Sequence, residues 1–312
     1  MIPHTNITTI TIDGYVEVEK YRFVYFFSMF LVYVVILCSN GTIVFLIWKH
    51  PNLHEPMYYF IAALLCNSIL FSSVLYPKMM VDVLSEKQEV TISACMLQCF
   101  LYYSLNLSEI MLLSVMAYDR YVSILKPLRY TTIMQDRTVR GFLVLAWALP
   151  GVQTAVPNIV AIRAKLCNVN FKGIYCNNLI YKMHCSPSRP MYVVYGMIVL
   201  INLAILPVLF IVFTYAKIFV ITYRSSAEVR RKAAETCLPH LFVLINFSCL
   251  VTYDVVTVKM EFDVPKTVRL IMMLQVVLYH PLVNPLIYGL KMKEINKHLK
   301  KMFTKRNRKM LV

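Results

Sequence analysis

Seven stretches of this chain are predominantly apolar for more than twenty residues each, and that pattern constrains its fold more than any other feature. They are Phe23–Ile47, Met57–Pro77, Ala94–Tyr118, Gly141–Ile162, Met191–Ala216, Leu238–Val258 and Thr267–Leu290. Each reaches the ~20 residues that an α-helix needs to cross the hydrocarbon core of a bilayer. The first, second, fourth and fifth contain no Asp, Glu, Lys or Arg. Inside lipid every backbone N–H and C=O must be bonded within the protein, which leaves only helices and closed barrels. Barrel strands would need about ten residues with strict alternation, and these runs are too long and too continuous. Only 15% of the residues are charged, against roughly 25% in a soluble domain. The expected fold is therefore an all-α membrane protein: a seven-transmembrane helix bundle over 23–290. The first run is too long and lies too far from the start for a signal peptide, and no small-residue cleavage site follows it. It is expected to remain in the mature protein.

A net charge of +16 raises the question of nucleic acid, and its distribution answers it. Nine basic residues lie between Lys291 and Lys309, and others cluster at Arg137–Arg140 and at Arg230-Arg231-Lys232. With seven spans all of these fall on one side, which the positive-inside rule makes cytoplasmic. No nucleic acid partner is expected, and the tail is placed to meet anionic membrane lipid. Residues 1–22 are then extracellular, and Asn6-Ile7-Thr8 is a candidate glycosylation acceptor. Within 291–312, Met292, Ile295, Leu299 and Phe303 recur at helical spacing among Lys293, Lys297, Lys300 and Lys301. That pattern describes a short amphipathic eighth helix lying on the inner leaflet.

The longest loop on the outer side, Arg163–Pro190, holds Cys167, Cys176 and Cys185, and Cys95 begins the third run on the same side. Four cysteines on an oxidising face invite two disulfides, with three possible connectivities. Cys38, Cys66 and Cys249 fall within spans and read as small core residues.

The third run carries the chemistry. Met116–Tyr130 reads MAYDRYVSILKPLRY and sets Asp119 and Arg120 side by side where hydrocarbon meets water. An arginine at that depth is costly unless it is paired or faces the bundle interior, and so marks a functional site. At about 100° per residue, Glu109 lies three turns before Arg120 on nearly the same face. Leu113, Asn106 and Tyr102 share that stripe. One helix face thus runs from phenol and amide groups outside, through a mid-depth carboxyl, to an arginine at the inner mouth. Glu109 must be partnered or protonated there, because an unpaired buried carboxylate costs several kcal/mol. Pro150, Pro157, Pro207, Pro281 and Pro285 interrupt the fourth, fifth and seventh spans and permit kinks. Asn284-Pro285-Leu286-Ile287-Tyr288 places an amide and a phenol one turn apart, and Tyr215 supplies a second phenol at similar depth. Phenols facing Arg120 would offer it other partners in a second bundle arrangement, as a two-state switch requires.

These motifs resemble those of a rhodopsin-like G-protein-coupled receptor, and within that class an odorant receptor. The resemblance rests on Asn40, Glu55-Pro56-Met57-Tyr58, Met116–Tyr130, Trp147, Thr214-Tyr215, the run from Lys232 through Thr236-Cys237-Leu238-Pro239-His240-Leu241, and Pro281–Tyr288. Tyr76-Pro77-Lys78 is similar to the fish-type branch. The resemblance implies bridges Cys95–Cys176 and Cys167–Cys185. It implies that Asp119 restrains Arg120 at rest, that Arg120 with its neighbour Tyr121 engages the G protein when active, and that Tyr215 and Tyr288 swing toward Arg120. Asn40 and Glu109 become polar core elements. A small-molecule odorant would bind among the outer halves of helices three, five and six, with Tyr102, Tyr103, Asn106, Leu200, Val251, Tyr253 and Val255 as candidates. The implied partner is a stimulatory, olfactory-type heterotrimeric G protein that raises cAMP, and the implied location is the plasma membrane of olfactory cilia, with the N-terminus outside.

The resemblance implies no cofactor. The class usually carries an aspartate in the second helix where Asn67-Ser68 stands, which disfavours a sodium ion near Glu109, and no other metal is expected. An opsin is disfavoured because the seventh span has no lysine before Lys291, and an amine receptor because the outer half of the third has no aspartate. A transporter or channel would show inverted repeats, broken helix pairs or charged pore rings. The chain reads as a ligand-gated exchange catalyst for a G protein and not as an enzyme in its own right.

Overall fold

The computed structural model describes residues 8–162, 166–183, 185, 189–223, 226–228, 231, 234, 237–238, 241–242, 244–245 and 265–310. The long helices are α1 (Val18–Lys49), α2 (Pro56–Leu84) and α3 (Ile92–Leu125), then α5 (Asp136–Ile162) after a short α4 (Tyr130–Ile133). The fifth rod is α6 (Arg189–Leu200), a π-helical turn (Ile201–Ile205) and α7 (Leu206–Tyr223); α8 (Lys266–Lys291) and α9 (Lys293–Met310) follow. Six helices among the described residues are long and apolar enough to cross a membrane. The sixth run, 238–258, falls mostly outside the described residues, and with it Val251, Tyr253 and Val255. Asn6 lies outside them too.

Local chemistry sets the ends. Pro56 occupies the first turn of α2, where its missing N–H costs nothing. Thr91 caps α3, its hydroxyl oxygen accepting from the Ala94 N–H at 3.3 Å. Lys126 precedes Pro127, which disfavours helical backbone there, and α3 ends with Lys126 at φ −133°, ψ 51°.

α3 is the central post, packed against α2, α5 and α7. Its apolar window is 67% buried, whereas the corresponding window of Val193–Tyr223 is 17% buried. Phe27, Leu31, Val152, Phe219 and Val220 point outward and exposed, as befits a lipid-facing rim. Two of the interior prolines are compensated. Pro285 has no N–H for the Pro281 carbonyl one turn back, and the Asn40 amide donates to that oxygen at 2.8 Å. Pro157 likewise frees the Gln153 carbonyl, which accepts from the Tyr195 hydroxyl at 3.0 Å.

The helical expectation leaves out one element. Thr9–Ile12 forms a strand, β1, between β2 (Glu89–Thr91) and β3 (Asn170–Phe171), in the order β2-β1-β3. β1 is antiparallel to β2 and parallel to β3. Thr9 and Thr11 are exposed while Ile10 and Ile12 are buried, the period-two alternation of a half-buried strand.

Candidate functional site

The inner end of α3 holds a buried ion pair. Asp119 is fully buried and Arg120 is 16% exposed at its side chain. The guanidinium donates to Asp119 Oδ2 through Nη2 at 2.5 Å and Nε at 3.0 Å. The other carboxylate oxygen accepts from the Tyr130 hydroxyl at 2.8 Å. Burial, and then the Asp119 charge, push the Tyr130 phenol well above its ordinary range, which keeps it protonated as a donor. Tyr130 lies on α4, so one carboxylate ties α3 to the loop that follows it. This role was not assigned from the sequence, although Tyr130 closes the motif around Arg120.

Tyr215 and Tyr288 are buried in the apolar cluster that also contains Met116, Ala117 and Leu113. Asn284 lies one turn from Tyr288, fully buried, and its amide donates to Glu109 Oε1 at 2.9 Å and to Ser68 Oγ at 3.2 Å. Glu109 therefore joins α3 to α8, with α2 contributing a hydroxyl. No group of three or more His, Cys, Asp or Glu side chains gathers as a metal site among the described residues. Close by, the Trp147 indole donates to Asn67 Oδ1 at 3.1 Å and the Asn67 amide to the Leu105 carbonyl at 2.9 Å, linking α5, α2 and α3.

At the outer end the long loop is clamped to α3. Cys95 is bonded to Cys176, and Cys167 to Cys185. The Cys176 N–H donates to Gln98 Oε1 at 2.9 Å, and the Asn178 N–H to the Tyr103 hydroxyl at 3.2 Å. Tyr102 is buried against Tyr175, with ring centroids 5.1 Å apart and hydroxyls 3.4 Å apart, and its ring meets Tyr103 edge-on. Asn106 donates to the Tyr102 carbonyl at 2.8 Å. Tyr102, Tyr103 and Asn106 are thus grouped on one stretch of α3, whereas Leu200 packs in a separate cluster with Leu107, Ile110 and Leu203. The sequence alone does not mark Tyr175. The available signal was adjacency, since Tyr175 precedes a cysteine tied to the first turn of α3.

A helical bundle with an arginine–carboxylate pair at one mouth and a disulfide-tied loop over the other defines a rhodopsin-like G-protein-coupled receptor. The olfactory receptor family model matches residues 29–306, and the chain belongs to that family. Olfactory receptor 13C2 of Homo sapiens is 31% identical over 312 residues, covering 97% of each chain. Olfactory receptor 4S2 of Homo sapiens is 32% identical over 292 residues, covering 92% of this chain and 90% of its own. Olfactory receptor 4B13 of Mus musculus is 30% identical over 303 residues, covering 95% and 96%. Membership makes the chain a multi-pass membrane receptor for odorants that couples to a G protein and has no enzymatic activity of its own.

Proposed function

We propose that a small-molecule odorant binds under the long loop, among the outer halves of the third, fifth and sixth helices. Tyr102, Tyr103 and Asn106 form the α3 wall of that chamber, Leu200 stands on the fifth helix, and Val251, Tyr253 and Val255 contribute from the sixth. Occupancy shifts a two-state bundle. In the resting state Asp119 holds Arg120; in the active state Arg120, with Tyr121 beside it, engages the G protein, and Tyr215 and Tyr288 turn toward the arginine. Asn284 and Pro285 form the joint in α8 that lets this happen. The G protein is of the stimulatory, olfactory type and raises cAMP. The receptor sits in the plasma membrane with its N-terminus outside, glycosylated at Asn6, and the basic face of α9 rests on anionic lipid.

One observation carries this reading: α3 is a single rod whose outer turns are bonded to the long loop and whose inner end holds the Asp119–Arg120 pair, with Glu109–Asn284 between. The loop just beyond that pair supports a protein partner on the inner face. Leu128 is 97% exposed between Pro127 and Arg129, an apolar side chain set among cations on the cytoplasmic side. The test is a cyclase-coupled reporter in cells. Odorant-dependent cAMP should vanish in Arg120→Ala while surface amount is retained; substrate flux without any dependence on a G protein would reject the reading in favour of a transporter.

A further inference from the structure

The described N-terminal segment is not a free tail. β1 is the middle strand of the outer sheet, opposite β2 in the pairs Thr9↔Thr91, Ile10↔Val90 and Thr11↔Glu89, and beside β3 at Thr11↔Asn170 and Ile12↔Phe171. Further backbone bonds run from the Ile12 N–H to the Gln88 carbonyl at 2.7 Å, from the Asp13 N–H to the Phe171 carbonyl at 2.8 Å and from the Ile92 N–H to the Thr8 carbonyl at 3.1 Å. Asp13 forms an ion pair with Lys266 at the start of α8. The segment therefore touches the α2–α3 connection, the long loop and the last transmembrane helix at once.

Its inward side chains are buried with the core. Ile10, Ile12 and Tyr15 belong to the same packed cluster as Tyr102, Tyr175, Phe171 and Met273. Gly14 passes so close to the long loop that a Cβ there would lie 2.3 Å from the Gly173 carbonyl carbon. Only glycine lets the two backbones meet. Past Tyr15 the chain turns into α1 at Glu17, a non-glycine residue with φ 45°. Left-handed backbone at such a residue costs roughly 1–2 kcal/mol, a strain held by the packing on both sides of the corner.

We propose that Thr9–Tyr15 is a removable roof strap over the odorant chamber. It closes the chamber by laying Ile10 and Ile12 on the Tyr102–Tyr175 floor, and a water-borne odorant enters when the strap peels away from β2 and β3 about the Glu17 corner. The strands are short and the ion pair is exposed, so the burial of Ile10 and Ile12 is the main resistance to peeling. This rests on the chamber lying beneath the long loop, as proposed above.

Thr9 and Thr91 are exposed and opposed in register, at the position of an antiparallel ladder where Cα atoms stand about 4.5 Å apart, which is within disulfide range. The experiment introduces Thr9→Cys together with Thr91→Cys in the full chain and confirms the cross-link at the cell surface by mass. Onset of the cAMP response to a water-soluble odorant is then timed with and without mild external reductant. The cross-linked receptor should respond at least tenfold more slowly, with reductant restoring the wild-type rate and neither single variant showing the effect. Asp13→Ala, which unties the strap from α8 at an exposed site, should shorten the onset. Unchanged onset in the verified cross-linked receptor overturns the proposal, and so does failure of the two cysteines to join. The wild-type response to odorant tests the receptor reading by itself, so a change confined to the cross-linked form reports on the strap alone.

Discussion

Replacing Asp119 by asparagine tests the resting latch with minimal change of shape. The amide preserves an acceptor for the Tyr130 hydroxyl and removes the charge that holds Arg120. Arg120 keeps its charge, so its contacts remain hydrogen bonds to an ionised group, and what the substitution removes is the attraction between two opposite charges. Coupling between close, desolvated charge pairs starts at about 1.5 kcal/mol, and with both contacts converging on one oxygen the loss is about 1.5–3 kcal/mol. The pair is almost wholly buried, so screening by water reduces that figure little. At about 1.4 kcal/mol per tenfold change, the active state gains a factor of roughly 10 to 150. An active population of about 1% would climb to roughly 10–60%. The assay is ligand-free cAMP in cells, normalised to receptor at the surface. Asp119→Asn should raise that basal signal several-fold or more, while Asp119→Asn combined with Arg120→Ala should abolish it. Basal signal within twofold of wild type at equal surface amount would refute the latch.

Other outcomes follow from particular contacts. Cys95→Ser should abolish surface expression and Cys167→Ser should reduce it less, because the bridges close sequence separations of 81 and 18 residues and longer closed loops stabilise more, within a range of ~2–5 kcal/mol; equal surface levels would contradict this. Asn40→Ala strands the buried Pro281 carbonyl, at a cost of ~1–3 kcal/mol, and should lower the melting temperature of the purified receptor; an unchanged value would show that another donor takes over. His298 on α9 stacks on His50 at 3.9 Å and meets the Asn52 amide at 3.2 Å. Burial, then His50 and Lys301, lower its pKa. The docked imidazole is thus held neutral, and its contribution to docking α9 is full above the free value of about 6.5 and is lost as pH falls through the lower docked value. A magnetic-resonance titration of the purified receptor, with the signal assigned by its loss in His298→Gln, should give a midpoint below 6.5; a midpoint at or above it would contradict the stacked arrangement.

Much of this architecture could be read in advance because its causes are local. Apolar length fixes membrane helices, Lys126 before Pro127 ends α3, and a period of 3.6 aligns Tyr102, Glu109 and Arg120 without any knowledge of neighbours. Asn40 and Pro285 were both legible as motif residues, but their meeting through the Pro281 carbonyl depends on how α1 packs on α8. β1 was hidden for the same reason: four residues alternating Thr and Ile make a weak strand signal, and its partners lie about 80 and 160 residues away along the chain. The long loop's phenols depend on a register over α3 that the cysteine spacing alone does not set. Leu200 lies immediately before the π-helical turn at Ile201–Ile205 and packs against Leu107 and Ile110. A π-turn changes which face a rod presents, and simple helical counting does not foresee it.

The central claim is that odorant binding at one end of α3 accelerates nucleotide exchange at the other through Arg120. Purified receptor in lipid, mixed with purified stimulatory G protein, measures that directly. An odorant that activates the receptor in cells should speed GTP analogue uptake with wild type and with Tyr130→Phe, and should leave Arg120→Ala at the receptor-free rate while still binding it. Equal acceleration by Arg120→Ala would contradict the account.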